Sequence, residues 1–413
     1  MTHCVLGADM EKTIELENGI KVFYKQSKNT PRVSFCMNFL LNEEEKIPGL
    51  NALMTRLFMQ GTTNRTAEQL AQELDENAIE MNVELKLDYL SFRFTCLNED
   101  FAKAVEILED IVKNTTFNDY EKEILKYKAD ILAALESPVS FVMDGFYKTI
   151  FENHPYGTTK TVILPHLDEI THEALVDTYS EIRSKSTKVV AVVGDTDIDK
   201  TFELIKSAFG GLERSLKEMS LFHKISLTET KKLEQVKENL NQAHIVKGWL
   251  VDGLNDFDYP ALMLLNVILG ASGLSSRLFC ELRDKKGLAY VVRTSYETAL
   301  SASNFYIYIA TEPKNIEKAL AGFKEEIDKI KTEKISQAEL DSAKSNLIGK
   351  WAFSFETNQR QANLFAHYGI MNLGFDFIEK TKEKIHLVSV DDIYNCANRY
   401  FTEDSCVISI LSA

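Results

Sequence analysis

Apolar and polar residues alternate near the start of the chain in a pattern that predicts a β-hairpin. Alternating stretches at 14–17 and 20–24 flank Asn18-Gly19, a dipeptide that favours a tight hairpin turn because both of its residues tolerate positive φ. A third strand is predicted at 33–41. We therefore expect the chain to open with neighbouring strands of one sheet.

Helix starts can be recognised by their capping residues. In a capping box a hydroxyl accepts from the amide three positions later, and the residue there returns a hydrogen bond, so two free amides are satisfied. This pattern predicts helix starts at Thr66/Gln69, Ser336/Glu339 and Ser389/Asp392, and Thr171 is predicted to cap a further helix.

The order of predicted elements begins again in the second half of the chain. A buried strand at 188–194 and a helix close the first half, and a strand at 243–250 and a helix open the second. The stretch 212–238 between them is charged and lacks sustained periodicity, which is typical of a linker. We predict an α+β protein of two tandem homologous domains, 1–211 and 239–413, each a mostly antiparallel sheet backed by helices.

Composition and charge narrow the function classes. The chain has 413 residues, 45% of them hydrophobic and 26% charged, enough for roughly two to four domains with full cores. Its formal net charge of −15 argues against binding nucleic acid or an anionic membrane through net attraction. No apolar stretch is long enough to span a bilayer. We therefore expect neither nucleic acid nor a membrane as a partner.

Cysteine usage and the N-terminus indicate a cytoplasmic location. The first residues show no basic region followed by a long apolar run, so they do not resemble a signal peptide. The six cysteines are scattered, and no C-x-x-C pair suggests a metal or redox site: Cys4, Cys36, Cys96, Cys280, Cys396 and Cys406. We expect them to be reduced and structural.

The stretch 271–290, A-S-G-L-S-S-R-L-F-C-E-L-R-D-K-K-G-L-A-Y, is the strongest candidate for a functional site. Leu274, Leu278 and Leu282 recur at helical spacing and predict a short amphipathic helix over 275–283. Gly287 is predicted to end that helix.

Two polar side chains are predicted to converge after this helix. Arg283 falls in its last turn, and Tyr290 begins a strand that the turn folds back beside the helix end. From residue types alone, a second interpretation stays open. Arg283 then only favours the helix C-terminus electrostatically, and Tyr290 is an ordinary strand aromatic.

The motifs S-S-R-L-F and L-R-D-K-K-G-L-A-Y resemble the second-half signature of the pitrilysin/insulinase-like zinc peptidases, the inverzincins, whose metal motif is H-x-x-E-H. The resemblance implies the small, two-domain branch of that family. It also implies that Arg283 and Tyr290 contact a bound peptide near the scissile carbonyl.

The helix predicted at 49–62, G-L-N-A-L-M-T-R-L-F-M-Q-G-T, resembles the metal helix of that family. Laid on the family pattern, Ala52 and Arg56 stand at the two histidine positions, Thr55 at the glutamate position and Asp130 at the third ligand. A guanidinium carries a permanent positive charge and cannot ligate zinc, and without the glutamate the general base is also missing. We expect a plain core-packing helix, with no metal, no cofactor and no catalytic residue in this chain alone.

No other histidines suggest a zinc site. No pair has the i, i+4 spacing that places two imidazoles on one helix face, and the closest pair is His166 and His172, in a stretch that reads as a connection.

The resemblance therefore implies a non-catalytic subunit of a heterodimeric zinc metallopeptidase. A homologous partner would carry the zinc, and this chain would contribute contacts to the peptide substrate and to the transition state. Two alternatives stay open: a scaffold or peptide-binding protein of the same family with no peptidase role, and a homodimer.

Overall fold

The computed structural model describes residues 11–41, 43–215, 222–374 and 376–413. Its strands are β1 (Glu11–Glu15), β2 (Lys21–Gln26), β3 (Arg32–Leu40), β4 (Glu80–Leu85), β5 (Tyr89–Leu97), β6 (Lys188–Gly194), β7 (Lys231–Val236), β8 (Ala243–Val251), β9 (Ala289–Glu297), β10 (Ser303–Thr311) and β11 (Val407–Ser412).

The helices are α1 (Leu50–Leu57), α2 (Ala67–Glu76), α3 (Phe101–Asn114), α4 (Tyr120–Glu136), α5 (Pro138–Ile150), α6 (Lys160–Ile163), α7 (His172–Lys185), α8 (Ile198–Phe209), α9 (Tyr259–Asn266), α10 (Ile316–Thr332), α11 (Gln337–Ser354), α12 (Asn358–Ile370), α13 (Phe377–Leu387) and α14 (Val390–Tyr400). Wide π-helical turns lie at Val267–Ala271 and Phe279–Lys285.

The chain forms two compact units, each assembled from separate stretches of sequence. Unit 1 comprises Met1–Tyr127, His166–Ser220 and Phe353–Phe377, and unit 2 comprises Lys128–Pro165, Leu221–Ala352 and Ile378–Ala413. These units cross the boundaries that the sequence suggests, because residues from each half of the chain pack within the other unit. The domains 1–211 and 239–413 describe the repeat in the order of elements along the sequence, not these compact units, and they stay a prediction.

The sheet of unit 1 has the strand order β1-β2-β6-β3-β5-β4 among the described residues. All neighbouring pairs are antiparallel except β2 and β6. The predicted hairpin is confirmed, since Glu11 pairs with Lys25 and Glu15 with Lys21. Gly19 has φ 82° in its turn, a conformation that glycine adopts without the steric cost of a side chain.

The sheet of unit 2 repeats this pattern, with the order β7-β11-β8-β10-β9 in the described part of the chain. Here too the pair β7 and β11 is parallel and the other pairs are antiparallel. The five strands β7-β11-β8-β10-β9 thus correspond in order to β2-β6-β3-β5-β4 of unit 1. The predicted fold class, two related α+β sheets backed by helices, is confirmed.

One element of the predicted linker is a strand. β7 lies inside 212–238 and pairs with β11, whereas residues 216–221 of that stretch lie outside the described residues. Its side chains alternate between half-buried and exposed, because β7 is an edge strand with only one face against the protein. A polar edge strand of this kind resembles a linker in sequence.

In each unit the sheet is covered by a helix from the other half of the sequence. α12 packs on β3 and β6 in unit 1, and α5 packs on β8 and β11 in unit 2. Glycines permit the close approach: a Cβ added at Gly369 of α12 would lie 2.5 Å from Phe23, and one at Gly248 of β8 would lie 2.6 Å from Phe146 of α5. α12 is not predicted as a separate helix from the sequence.

The predicted caps are largely confirmed. Thr66 and Ser389 form complete capping boxes, and the hydroxyl of Thr171 accepts from the amide of Ala174. Ser336 accepts from the amide of Glu339 at 3.2 Å, but the Glu339 carboxylate binds the Arg277 guanidinium at 2.7 and 2.8 Å.

No helix in the described part of the chain is long and apolar enough to cross a membrane. Five cysteines lie among the described residues, and none of them forms a disulfide: Cys36, Cys96, Cys280, Cys396 and Cys406. Cys4 lies outside the described residues.

Candidate functional site

The stretch 277–285 is helical, and its last turn is wider than an α-helical one. The amide of Lys286 donates to the carbonyl of Glu281 at 3.1 Å, five residues back, and the amide of Leu288 donates to the carbonyl of Leu282 at 2.8 Å. Gly287 ends the helix with φ 60°, as predicted. Such π-helical turns are often found at functional sites because they displace side chains from their α-helical positions.

The apolar stripe of this helix is shorter than predicted. Leu278 and Leu282 are fully buried, but Leu274 is 73% exposed. The prediction for Leu274 is wrong because the chain forms a separate short turn over Gly273–Ser275 before the helix begins. Ser276 then adopts an extended conformation, so Leu274 is out of phase with the two buried leucines.

Tyr290 is an extra residue at the start of β9. Ala289 pairs with Thr311 of β10, and Val291 pairs with Ala310, the residue adjacent to Thr311. Two residues of β9 thus correspond to one step of β10, which defines a β-bulge at Tyr290. A bulge re-aims the side chain of the inserted residue, and the Tyr290 side chain is accordingly 76% exposed.

The predicted convergence of Arg283 and Tyr290 is observed. The guanidinium carbon of Arg283 lies 5.2 Å from the centroid of the Tyr290 ring and 4.4 Å from that of Phe279. Both distances allow cation–π attraction. The wide helical turn and the bulge therefore place a permanent positive charge beside an exposed phenol.

α1 is the helix that the resemblance aligns with the metal helix of the family. Arg56, at one of the aligned ligand positions, forms an ion pair. The Nε of Arg56 lies 2.7 Å from Oε1 of Glu123 on α4. The Arg56 guanidinium also lies over the ring of Tyr127, 4.9 Å from its centroid. Lys126 is a second cation beside Glu123, at 3.2 Å. The Glu123 side chain is only 7% exposed, so these two cations offset the cost of burying its carboxylate.

The half-buried carboxyl group of Glu45 caps the start of α1. Oε2 of Glu45 accepts from the amide of Gly49 at 2.7 Å. Burial raises the pKa of Glu45 to about 7, although hydrogen bonds from the amides of Gly49, Asn51 and Leu50 oppose the shift. Burial, with the nearby charge of Glu45, also raises the pKa of Tyr127 to about 12, and Arg56 opposes that shift.

The residues at the former ligand positions do not fit zinc. Ala52 has no donor atom, and the Thr55 hydroxyl donates to the Asn51 carbonyl within α1 at 2.7 Å. Arg56 repels a metal cation and binds Glu123. Asp130 is an exposed residue of α4 that belongs to unit 2. No group of three histidine, cysteine or acidic side chains among the described residues is arranged to hold a metal.

Three residues of this region, Glu45, Glu123 and Tyr127, are not predicted from the sequence. Glu123 and Tyr127 stand four residues apart on α4, so one helix face carries both groups that contact Arg56. This spacing could have indicated that the two residues share a helix face. It could not indicate that the face packs against Arg56, because α1 and α4 are far apart in the sequence. Glu45 lies in the acidic run Glu43-Glu44-Glu45, whose composition is typical of a solvated loop.

The fold and the site together define the class of this protein: a duplicated α+β chain of the pitrilysin/insulinase type whose helix α1 carries no H-x-x-E-H motif. Residues 40–161 match the model of the insulinase family, peptidase family M16. Residues 169–347 match the model of the peptidase M16 inactive domain. The chain belongs to peptidase family M16.

Relatives and solved structures are similar over almost the whole chain. An uncharacterized zinc protease of Rickettsia felis is 27% identical over 409 residues, 94% of each chain. The crystal structure of a protease from Helicobacter pylori has a TM-score of 0.89 at 21% identity, covering 98% of this chain and 100% of that one. A peptidase M16 inactive domain from Pseudomonas fluorescens has a TM-score of 0.85 at 20% identity, covering 98% of both chains. The two structures show the fold alone.

Proposed function

We propose that this chain is the zinc-less subunit of a heterodimeric M16 metalloendopeptidase, that it works in the cytoplasm, and that it binds the peptide substrate. The observation that carries the proposal is a contrast within one chain. Arg56 stands at a position that the resemblance aligns with a ligand, where it binds Glu123 at 2.7 Å, whereas the half-buried Arg283 and the exposed Tyr290 form a pair of donors.

The Arg283 and Tyr290 pair suits a role at a scissile carbonyl. The carbonyl oxygen gains negative charge as water attacks, so donors aimed at that oxygen stabilise the transition state more than the ground state. A guanidinium and a phenol are both donors, and the arginine charge is permanent. The cation–π contact with Phe279 and Tyr290 holds the guanidinium in place before substrate arrives.

The metal and the base must then come from a partner. A zinc-bearing homologous subunit with H-x-x-E-H supplies the activated water, and this chain supplies donors to the substrate. A donor pair of this kind has no hydrolytic use in a chain that lacks a nucleophile, so the proposal requires association.

The test is reconstitution with homologues of this chain that carry H-x-x-E-H. We expect a one-to-one complex in light scattering, and peptidase activity that neither chain shows alone. The isolated chain should show no chelator-sensitive peptidase activity. A mixture that stays inert and unassociated across several such homologues would contradict the proposal and favour the scaffold interpretation. Self-association of this chain alone would favour a homodimeric peptide-binding protein.

A further inference from the structure

β9 is the terminal strand of the unit 2 sheet. It pairs with β10 on one side, and no strand among the described residues pairs with its other edge. Its first half is open, because Tyr290, Val291 and Arg293 are all exposed. A long edge strand with exposed apolar side chains invites pairing with another strand, and proteins either block such edges or use them.

The arginines of unit 2 divide into two groups. Arg277 binds Glu339 at 2.7 Å, and Arg399 binds Asp258. By contrast, Arg283 and Arg293 contact aromatic rings, and within the described chain no carboxylate lies at ion-pair distance from either guanidinium. The whole chain has 62 acidic and 47 basic residues, so acidic partners are abundant. The two arginines without such partners lie beside the open half of β9.

Arg293 is held in position by its neighbour across the ladder. It pairs with Tyr308 of β10, and its guanidinium carbon lies 5.3 Å from the Tyr308 ring centroid. The Tyr308 hydroxyl lies 2.8 Å from Nδ1 of His244, and this hydrogen bond fixes the ring under the guanidinium. Arg293 therefore holds a positive charge on one face of the edge strand β9 at little further cost in side-chain entropy.

The nearest acidic residue on the same face of β9 is already engaged. Glu297, four positions along from Arg293, accepts from the Tyr147 hydroxyl at 2.9 and 2.8 Å. It also accepts at 3.3 Å from the Tyr306 hydroxyl and from the Asn304 amide. These contacts fix the Glu297 carboxylate, and Arg293 is left for a carboxylate from outside.

We propose that β9 binds an extended peptide as an added strand, and that Arg293 selects an acidic side chain on that peptide. Backbone hydrogen bonds to the open edge supply affinity, and side chains on alternate positions supply selectivity. Tyr290 contributes an aromatic surface at the start of the strand. Since the chain has a net charge of −15, it repels strongly anionic peptides, and the preferred ligand has one acidic residue among neutral or basic ones. This inference rests on the proposed peptide-binding function.

The experiment measures peptide binding by the isolated full chain. The probes are fluorescein-labelled ten-residue peptides rich in valine and threonine, with aspartate, asparagine or lysine at one central position, read by fluorescence polarisation. We expect the aspartate peptide to bind about tenfold or more tightly than the lysine peptide. Arg293→Glu should reverse this order, which shows that the variant is folded. Lys318→Glu, the same charge reversal at an exposed residue of α10, should leave the order unchanged.

Strand addition is tested by methylating peptide nitrogens. A β-strand uses alternate amides in one ladder, so a peptide N-methylated at one set of alternate residues should lose binding, and one methylated at the other set should retain it. Equal effects of both sets, no binding of any probe, or an unchanged preference in Arg293→Glu would overturn the inference. The peptidase activity of this chain with a zinc-bearing partner is measured separately. Peptide binding without reconstituted activity would contradict only the proposed function. Reconstituted activity without the aspartate preference would contradict only this inference.

Discussion

Replacing Arg56 with methionine tests how much the ion pair between Arg56 and Glu123 stabilises the helix α1. The substitution keeps the apolar stem beside Tyr127 but leaves the Glu123 carboxylate, 7% exposed, without its guanidinium. Breaking a fully buried ion pair costs about 3–5 kcal/mol. Arg56 is 31% exposed, and Lys126 remains 3.2 Å from Glu123, so we expect a smaller loss, about 1–3 kcal/mol.

The assay is hydrogen exchange of the α1 amides, because a chain of two compact units need not unfold in one transition. A loss of about 1–3 kcal/mol corresponds to exchange roughly 5- to 150-fold faster. Glu123→Gln in the same chain should restore at least half of the protection, since no charge is then left unpaired. The matched control is Lys126→Met at the half-exposed second cation, with a change of about twofold or less. Exchange in Arg56→Met within about twofold of the parent would refute the reasoning.

Three further predictions concern the pKa of Glu45, the packing of Gly369 and the binding of zinc. Burial raises the pKa of Glu45 from 4.5 to about 7, so folding favours the protonated form. That stability is fully present below pH 4.5 and is lost as pH rises to about 7. In hydrogen exchange of the α1 amides, Glu45→Gln should therefore increase the protection by up to about 3 kcal/mol at pH 8 and hardly change it at pH 4.5. A difference that does not depend on pH would contradict this. Gly369→Ala, whose Cβ would lie 2.5 Å from Phe23, should cost about 1–3 kcal/mol in denaturant unfolding, whereas Gly349→Ala, in open space, should be neutral or stabilising; equal effects would contradict the packing argument. Elemental analysis should find no stoichiometric zinc in the purified chain, because Ala52 has no donor atom and the Arg56 guanidinium cannot ligate a metal; one zinc per chain would contradict this.

Much of the fold could be predicted because local patterns agree with the tertiary structure. Asn18-Gly19 marks the first hairpin, and the repeated order of elements indicates two related sheets. β7 was not recognised, because a polar edge strand is stabilised by its partner β11 rather than by its own apolar residues.

The site was predicted less completely, for physical reasons that differ between its parts. Gly287 is a local signal, so the convergence of Arg283 and Tyr290 could be inferred. The bulge at Tyr290 could not, because it depends on the register with Ala310 on another strand. The Arg56 and Glu123 pair likewise joins helices that are distant in sequence, so its geometry is visible only in the folded chain.

The most direct test of the central claim is kcat/KM of the reconstituted heterodimer carrying Arg283→Ala or Tyr290→Phe in this chain. Losing one donor at the transition state should lower kcat/KM by roughly tenfold to a thousandfold, with association and the partner's zinc content nearly unchanged. Arg277→Ala is the control, because Arg277 binds Glu339 and should act through stability. If both site variants keep kcat/KM within about twofold of the parent complex, the transition-state role is wrong, and the two residues are only a helix-end charge and a strand aromatic.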